Sequence, residues 1–417
     1  MAQSRLETLS VSPRVAKKRA ARLTEIIVAA TRLFNRRGFL ATTMEEIATA
    51  TGMNPATIYH YVDSKEELAY RAYLRGCEAR RAQLQAAYST PGDGLTRIRA
   101  FLGALLTEDH RPALLSEVGA LRAAWAADVR QAQRANIRTM QSMVAKGAKD
   151  GSIATDDPAL TGVAILSVVE WMTFWFTPRL SYSREEVVAL FDDVLVNGMT
   201  PPDARTFDVP IITPAFPPQP GPNPFDRQAM AEAKLEQFLK VAMDSFNRIG
   251  VHATSIEQCA GELNLTKGAF YYYFQNKEEL LYLCYRRAIR FNWQAAVHLT
   301  PRDPVEREIL WRRSLFERHV SDYGPFPIYH HVTFLAPAHR QEIMDELMRQ
   351  QEADVDIVQK AIDTGYYRPM EAYLAEKVRA GLTNWFPAWF SASGRATPTQ
   401  VADNHSRLFL YGLKPRR

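Results

Sequence analysis

Apolar residues recur every three or four positions through most of the chain, which is the spacing of an amphipathic helix. The clearest example is the face formed by Leu23, Ile26, Ile27, Ala30 and Phe34. Glycines and prolines separate these segments, and no sustained alternation of apolar and polar residues indicates strands. The pattern predicts an all-α fold class.

The chain repeats itself at a distance of 212 residues. Residues 34–68 and 246–280 align without a gap, and 14 of the 35 positions are identical. The apolar face upstream is also repeated, as Leu235, Phe238, Leu239, Ala242 and Phe246. A shift of 214 residues continues the match, pairing Gly151 with Gly365, Trp171 with Trp385, Trp175 with Trp389 and Gly198 with Gly412. The whole half is therefore duplicated.

A proline-rich segment separates the two copies. Nine of the residues from 200 to 225 are proline. Because proline lacks a backbone donor and favours extended conformations, this segment is predicted to be a linker without helix or sheet. The predicted organisation is a basic N-terminal arm (1–18), a first DNA-binding domain (19–82), a first helical sensing domain (83–199), the linker (200–226), a second DNA-binding domain (227–294) and a second sensing domain (295–413).

The charge of the chain indicates the kind of partner that it binds. The formal net charge is +5, which suits a polyanionic partner. The first 22 residues set one acidic residue, Glu7, against six basic ones: Arg5, Arg14, Lys17, Lys18, Arg19 and Arg22. A basic arm ahead of a helix can lie along phosphates or enter a minor groove.

Other classes of protein are disfavoured. The cysteines Cys77, Cys259 and Cys284 have no paired spacing, so neither a disulfide framework nor a zinc site is predicted. The N-terminus has no apolar signal-peptide segment. The most apolar stretch, residues 162–176, is shorter than a bilayer span and contains Glu170, so we interpret it as a buried helix. We expect a cytoplasmic protein without membrane partner, metal or cofactor.

Each copy opens with three helical segments joined by short turns. The first is predicted over residues 17–37, and Thr42 or Thr43 can cap the second, with Glu45 and Glu46 in its first turn. Gly52 then lies where a left-handed backbone is needed. Its counterpart Asn264 is the non-glycine residue that best tolerates that conformation.

The third segment is the candidate recognition helix, predicted over residues 55–62 and 267–274. Asn54 with Pro55, and Thr266 with Lys267, supply the cap and first helical residue. Each copy then carries ring side chains with polar tips, namely Tyr59, His60 and Tyr61, and Tyr271, Tyr272 and Tyr273. Such groups can donate to phosphates. Lys65 or Lys277, at the start of the next helix, would add an ammonium to the positive end of a helix dipole.

The series TxxxIAxxxGxxxxTIYxYxxSKEEL, from Thr43 to Leu68, resembles the DNA-binding domain of the TetR/AcrR family of bacterial regulators. The resemblance is strong over residues 22–82 and 234–294 and weaker through the rest of each half. It implies phosphate contacts from Thr43, Thr57, Tyr59, His60, Tyr61 and Lys65, and from Ser255, Tyr271, Tyr272, Tyr273 and Lys277. It implies base contacts from Pro55 and Ala56, and from Lys267 and Gly268.

The first copy departs from the common family pattern at Pro55 and Ala56, where lysine and glycine are frequent. Proline cannot make a bidentate base contact. The two copies are therefore expected to bind different half-sites of a double-stranded operator.

The resemblance also implies that each second domain binds a small-molecule effector and pairs through its last two helices, here residues 158–176 with 184–198 and 370–390 with 399–412. Aromatic side chains at helical spacing are candidate ligand contacts, although core or interface packing is the more common role of such residues. They are Trp125, Trp171, Phe174, Trp175, Trp311, Tyr329, Trp385 and Trp389. The paired tryptophans resemble those of regulators of fatty-acid and steroid catabolism, some of which sense acyl-CoA thioesters.

Two alternatives remain beside a ligand-released repressor. An enzyme is disfavoured because the chain has no glycine-rich phosphate loop, paired acidic metal motif or nucleophile signature, so no catalytic residue is predicted. A helical scaffold or sensor in which one helix-turn-helix no longer binds DNA would have lost phosphate-contacting residues, and both copies retain most of them. The functional unit is either an intrachain pseudo-dimer or a homodimer of two chains.

Overall fold

The computed structural model describes residues 13–107, 115–176, 181–204, 223, 225–297, 303–392 and 394–416, and these form helices and turns without strands. The first half contains α1 Pro13–Arg37, α2 Met44–Thr51, α3 Pro55–Ile58, α4 Lys65–Tyr88, α5 Gly94–Ala104, α6 Ala123–Asp150, α7 Pro158–Trp175 and α8 Arg184–Asn197. The second contains α9 Arg227–Ile249, α10 Ile256–Glu262, α11 Lys267–Tyr273, α12 Lys277–Val297, α13 Pro304–Val320, α14 Pro337–Asp363, α15 Ala372–Asn384, α16 Phe386–Trp389 and α17 Pro398–Tyr411.

The all-α prediction is confirmed, but the bounds of α1, of the helix expected over 370–390 and of α3 differ from expectation. Helix α1 begins at Pro13, so the second part of the predicted basic arm is helical, while residues 1–12 lie outside the described residues. The helix expected over 370–390 ends at Asn384 and restarts as α16. Pro387 causes this break because its ring removes a backbone donor and clashes with the preceding turn. Most of the predicted linker, residues 205–222 and 224, also lies outside the described residues.

Helix α3 is shorter than the predicted recognition segment. It ends at Ile58, and Tyr59, His60 and Tyr61 continue as a hydrogen-bonded turn rather than as α-helix. Its counterpart α11 reaches Tyr273.

Each three-helix unit has its own apolar core. Ile58 and Val62 point into the first core, and their counterparts Phe270 and Phe274 point into the second. The larger aromatic rings of the second unit pack together, with the centroids of Phe270 and Phe274 4.9 Å apart. The same pattern of apolar positions therefore forms both cores, and the side chains at these positions are larger in the second core.

The two halves pair through their last helices. Helices α7 and α8 of the first half pack on α15 and α17 of the second, and their buried side chains form one continuous apolar core. Gly381 of α15 allows this approach, because an ideal Cβ there would lie 2.8 Å from Val168 Cα on α7. The helices that pair are the ones expected from the family resemblance.

Reciprocal backbone hydrogen bonds join the ends of α8 and α17. Met199 N donates to Phe409 O at 2.9 Å, and Leu413 N donates to Leu195 O at 2.9 Å. Thr200 N likewise donates to Leu410 O, and Lys414 N to Val196 O. Each pair is exchanged by the 214-residue shift, so the contact has the self-complementary form of a two-fold interface.

Two short 3-10 segments connect the halves a second time. We call Leu115–Ala120 the first crossover turn and Tyr329–Phe334 the second crossover turn. The first packs on the end of α9 and the second on the end of α1. Each crossover turn therefore touches the DNA-binding unit of the opposite half.

The halves differ in the chemistry of their cores. In the second half, the Arg379 guanidinium bonds Glu308 Oε2 at 2.6 Å and Glu376 Oε2 at 3.1 Å, and all three side chains are buried. Ile165 occupies the position equivalent to Arg379 in the first half and is fully buried. The second half thus contains a buried ionic cluster where the first half is apolar at this position.

Candidate nucleic-acid interface and sensing pockets

Local capping fixes the helix-turn-helix geometry of the first copy. Thr43 and Glu46 form a capping box at the start of α2, and Gly52 ends that helix with φ 64°. The Asn54 side chain then accepts hydrogen bonds from Thr57 N at 2.8 Å and Thr57 Oγ1 at 2.9 Å. Asn264, the counterpart of Gly52, has φ 54°, so the predicted left-handed position is confirmed in both copies.

The predicted DNA-contacting side chains that the structure describes all reach the surface. Tyr59 and Tyr271 are about half exposed, and Tyr272 is 81% exposed. Thr43, Ala56, His60 and Gly268 are exposed as well. Those that are partly buried are Pro55, Thr57, Tyr61, Lys65, Ser255, Tyr273 and Lys277. The side chain of Lys267 lies outside the described residues, so its predicted base contact stays a prediction.

The two lysines after the recognition helices have a structural role that the sequence did not indicate. Lys65 Nζ donates to Leu40 O at 2.8 Å and Thr42 O at 2.7 Å. Lys277 Nζ donates to His252 O at 2.8 Å and Thr254 O at 3.0 Å. Burial lowers the pKa of both ammonium groups. Each lysine therefore ties the loop before α2 or α10 to the next long helix, with one of its three donors left for the predicted phosphate contact.

Helix α1 also supports the recognition turn. Arg19 donates to His60 O at 2.8 Å, and its guanidinium lies 5.8 Å from the centroid of the Tyr61 ring. Arg14, Lys17 and Lys18 are exposed on the same end of α1. The basic N-terminal residues that the structure describes are thus placed beside the predicted DNA-contacting surface.

A pair of equivalent glutamates joins each DNA-binding unit to its sensing domain. Glu66 Oε1 accepts from Arg122 N at 2.5 Å, at the start of α6. Glu278 Oε1 accepts from Ala336 N at 2.7 Å, at the start of α14. Carboxylates are favourable at helix N-termini. The only signal in the sequence was the repeated pair of glutamates in SKEEL and NKEEL.

Glu117 joins the first crossover turn to the end of α1. Its Oε2 accepts from Phe39 N at 2.6 Å, and burial raises the pKa of its carboxyl to about 7. Gly38 packs closely against this carboxylate and against Phe334. An ideal Cβ at Gly38 would lie 2.6 Å from Glu117 Oε2 and 2.4 Å from Phe334 Cε1. Residues of both halves therefore meet at the end of α1.

Each sensing domain contains a pocket. The first-half pocket has a volume of about 60 Å³ and is lined by Tyr73, Cys77, Arg80, Asn136 and Glu170, among others, together with Trp385 and Trp389 of the second half. The second-half pocket has a volume of about 110 Å³ and is lined mainly by apolar and aromatic residues, including Tyr285, Leu315, Phe316, Tyr329 and Phe386. Tyr73 and Tyr285 are equivalent, so the two pockets occupy corresponding places.

Three of the predicted ligand contacts line these pockets: Tyr329, Trp385 and Trp389. Trp171 and Phe174 instead pack on Tyr329 across the two halves, with ring centroids 5.2 and 5.0 Å apart. Trp175 lies against Tyr373 of the second half. These three aromatics of α7 form inter-half contacts, which was the more common role considered for them.

Trp125 and Trp311 line neither pocket. Trp125 stacks on Tyr70 with centroids 4.9 Å apart, and the Arg122 guanidinium lies 3.6 Å from its ring centroid. Trp311 lies beneath Arg379, whose guanidinium is 3.8 Å from its ring centroid. Their predicted ligand contacts remain untested. In the structure, Trp125 lies at the junction between the DNA-binding unit and the sensing domain, and Trp311 packs against the ionic cluster.

The chain matches two family models, each twice. The model of bacterial regulatory proteins of the tetR family matches residues 26–72 and 238–282. The model of the tetracyclin repressor-like C-terminal domain matches residues 93–199 and 302–413. These ranges cover more than half of the chain and repeat in the order expected from the duplication.

Relatives of known sequence are each about half as long as this chain. The transcriptional repressor KstR2 of Rhodococcus jostii is 24% identical over 206 residues, which are 44% of this chain and 94% of that protein. The uncharacterised regulator YhgD of Bacillus subtilis is 24% identical over 183 residues, 42% of this chain and 95% of that protein. One relative thus corresponds to one half.

Two solved structures are each similar to part of the chain. PfmR of Thermus thermophilus is 25% identical, covers 40% of this chain and 95% of its own, and has a TM-score of 0.36. KstR2 of Mycobacterium tuberculosis is 21% identical, covers 44% of this chain and 95% of its own, and has a TM-score of 0.37. The chain belongs to the TetR family of bacterial transcriptional regulators, a non-enzymatic family, and carries two tandem copies of the family's DNA-binding and C-terminal domains.

Proposed function

We propose that this chain is a cytoplasmic, ligand-responsive repressor in which one polypeptide supplies both halves of the DNA-binding unit. The observation that carries the proposal is the reciprocal set of hydrogen bonds between the ends of α8 and α17, such as Met199 N to Phe409 O and Leu413 N to Leu195 O. A self-complementary contact is what a homodimer makes between two identical chains. Here the two partners are the halves of one chain.

The proposed operator is an imperfect palindrome. Two recognition helices related by a two-fold axis contact half-sites about 34 to 36 Å apart, one turn of DNA. In the first copy Pro55 and Ala56 precede Thr57, whereas in the second Lys267 and Gly268 stand at the equivalent positions. Base contacts set specificity, so unlike residues at these positions favour unlike half-sites.

Helices α4 and α12 are the proposed route from ligand to DNA. Tyr73, Cys77 and Arg80 line the first-half pocket, and they lie on the same helix as Lys65, which holds the loop before α2. A ligand that shifts α4 therefore moves a contact of the DNA-binding unit. Its effect on operator binding equals its difference in affinity between the free and DNA-bound states.

The proposed effector of the second half is a small apolar molecule, or the acyl end of a molecule such as an acyl-CoA. The second-half pocket offers Leu315, Phe316 and Phe386 as an apolar lining. Apolar pockets with a few polar groups are typical of small-molecule sites.

In vitro selection from a random DNA library tests this function. We expect the full chain to enrich two unlike half-sites at a fixed spacing of about one turn. The Lys267→Ala variant should relax preference in one half-site only, and Lys149→Ala, at the exposed end of α6 in the first sensing domain, serves as a matched charge control. Enrichment of a single half-site would instead indicate that one helix-turn-helix no longer binds DNA, and no enrichment would contradict the proposal.

A further inference from the structure

The lining of the second-half pocket combines apolar side chains with two side-chain amides. Leu315, Phe316 and Phe386 provide apolar surface. Asn292 reaches the pocket from α12 and Gln350 from α14. A ligand of this pocket therefore contacts apolar surface as well as groups that can form hydrogen bonds.

Both amides contain a buried polar atom without a partner. Among the described residues, no hydrogen-bond partner is found for Asn292 Oδ1 or Gln350 Nε2. A buried polar atom without a partner is unfavourable, and a ligand that supplies the partner recovers part of that free energy. Because a half-turn of an amide exchanges its oxygen and its nitrogen, each side chain can present either an acceptor or a donor to a ligand.

Two hydroxyl groups in the same lining have already donated their hydrogens within the protein. The Tyr285 hydroxyl donates to Ile328 O and Tyr329 O, each at 3.0 Å. The Thr383 hydroxyl donates to Arg379 O at 2.9 Å. The two amides, rather than these hydroxyls, are therefore suited to bind the polar end of a ligand.

The second-half pocket offers no opposite charge to an ionic ligand. Its described lining residues include no lysine, arginine, aspartate or glutamate. His319 Nδ1 accepts from Phe326 N at 3.2 Å, so the ring is neutral, and burial lowers its pKa to about 4. Arg312, which donates to the lining residue Thr383, is ion-paired with Glu308. A carboxylate or an ammonium would lose its hydration here without gaining a counter-ion.

The duplicated positions of the first half carry groups that are held by partners within the protein. Arg80, the counterpart of Asn292, donates to Gln83 Oε1 at 2.8 Å. Asn136, the counterpart of Gln350, donates to Cys77 O at 2.9 Å, so its amide cannot turn without breaking this bond. Among the described residues, no corresponding bond holds Gln350 Nε2. The open amides of the second-half pocket are therefore not imposed by the fold that the two halves share.

We propose that the second-half pocket binds a small uncharged molecule whose polar end both donates and accepts hydrogen bonds, as a primary amide or a hydroxyl does, through Asn292 and Gln350. The proposal deepens the proposed function, on which it rests only for its regulatory meaning. The pocket volume of about 110 Å³ limits the ligand to a short carbon chain or ring beyond that polar end.

The test compares three probes of the same shape, namely butyramide, butyrate and methyl propyl ketone. Butyrate replaces the amide by a charge, and the ketone keeps the acceptor but has no donor. The full chain carries isotope-labelled leucine methyl groups, and the resonances of the lining residues Leu315 and Leu347, assigned with Leu315→Met and Leu347→Met, report binding in this pocket without DNA.

We expect butyramide to shift these resonances saturably and to bind about tenfold more tightly than the ketone, because it makes one more hydrogen bond. Butyrate should bind more weakly than butyramide by at least the same factor, because its charge is not compensated. Butyrate or ketone binding as tight as that of butyramide would overturn the proposal, and so would the absence of a saturable shift with butyramide.

A double variant tests the two amides together. Asn292→Leu combined with Gln350→Met keeps the side-chain sizes similar, and it should bind the ketone at least as tightly as butyramide. Such a reversal of preference cannot result from misfolding. Gln341→Met, on the exposed face of α14, should leave the preference for butyramide unchanged. A double variant that still prefers butyramide would contradict the assignment. Because no DNA is present, failure of this experiment is independent of the outcome of the operator selection.

Discussion

Gly198 and Gly412 meet where the two halves join. An ideal Cβ on Gly198 would lie 2.6 Å from Gly412 N, and one on Gly412 would lie 2.5 Å from Gly198 N. Both residues have positive φ values, 73° and 71°, with ψ near 180°, a backbone conformation that is essentially restricted to glycine. The duplicated glycines thus end α8 and α17 and also permit the close approach of the two helix ends.

A comparison of two glycines tests how much the junction depends on the absence of a side chain at Gly198. Gly151 has φ 78° with no atom within 4 Å of an ideal Cβ, whereas Gly198 is crowded. Gly151→Ala should cost about 1 to 2 kcal/mol in free energy of unfolding, from backbone conformation alone. Gly198→Ala should cost about 1 to 3 kcal/mol more, from its glycine-only backbone conformation together with overpacking. Urea unfolding measures both, and equal losses would contradict the requirement for glycine at Gly198.

The first crossover turn offers a second test. An ideal Cβ on Gly119 would lie 2.5 Å from Ile249 Cα at the end of α9. Gly119→Ala should therefore displace the second DNA-binding unit and weaken operator binding about tenfold, which is ~1.4 kcal/mol. Gly103→Ala is the control, because nothing lies within 4 Å of its Cβ position. Fluorescence anisotropy with operator DNA measures the affinity. If both variants bind like the unmodified chain, the turn does not set the position of α9.

Acid should destabilise the protein through His331. This side chain is fully buried beside His330 and Phe334, and both of its ring nitrogens lack hydrogen-bond partners among the described residues. Burial lowers the pKa of His331 to about 3. The unfolded state, with a pKa of about 6.5, therefore binds a proton that the folded state does not, and stability is lost as the pH falls below that value.

The expected change in the free energy of unfolding corresponds to the binding of one proton. Between pH 7 and pH 5, His331 should lower the free energy of unfolding by about 2 kcal/mol. His331→Leu should remove this part of the pH dependence, and His60→Leu, at an exposed histidine, should leave it in place. Denaturant unfolding at both pH values gives the answer. A His331→Leu variant with the original pH dependence would exclude this histidine as its source.

DNA contacts of the second copy divide into two kinds. Tyr272 is 81% exposed and is one of the predicted phosphate contacts, so Tyr272→Phe should weaken binding to operator and random DNA by the same factor. Lys267→Ala should instead reduce the difference between the operator and random sequences, by about 1 to 3 kcal/mol. Binding titrations with both duplexes measure the ratio. Equal effects of Lys267→Ala on the two duplexes would contradict its assignment to a base.

Local features of the fold could be predicted from the sequence. The capping box of Thr43 and the left-handed turn at Gly52 or Asn264 depend on neighbouring residues, and the duplication showed that both copies meet the same backbone demands. The helices that pair the halves were predicted because the family resemblance extended to them.

Long-range contacts could not be predicted in this way. Aromatic residues at helical spacing indicate burial, but they do not indicate the surface they face, so Trp171 and Trp389 were assigned to the same role and lie in different places. Lys65 bonds carbonyls at Leu40 and Thr42, and backbone acceptors leave no mark in the side-chain pattern. The break at Pro387 has a local cause, yet its result, Trp389 in the opposite pocket, depends on the pairing of the halves.

The mass of the complex between protein and operator tests the central claim most directly. Multi-angle light scattering of the full chain, titrated into a duplex that carries one selected operator, counts the chains on the DNA. The intrachain pseudo-dimer predicts one chain of 47.3 kDa per duplex at saturation, in addition to the mass of the DNA. Two chains on a single two-half-site operator would show that the binding unit is a homodimer and would contradict the account.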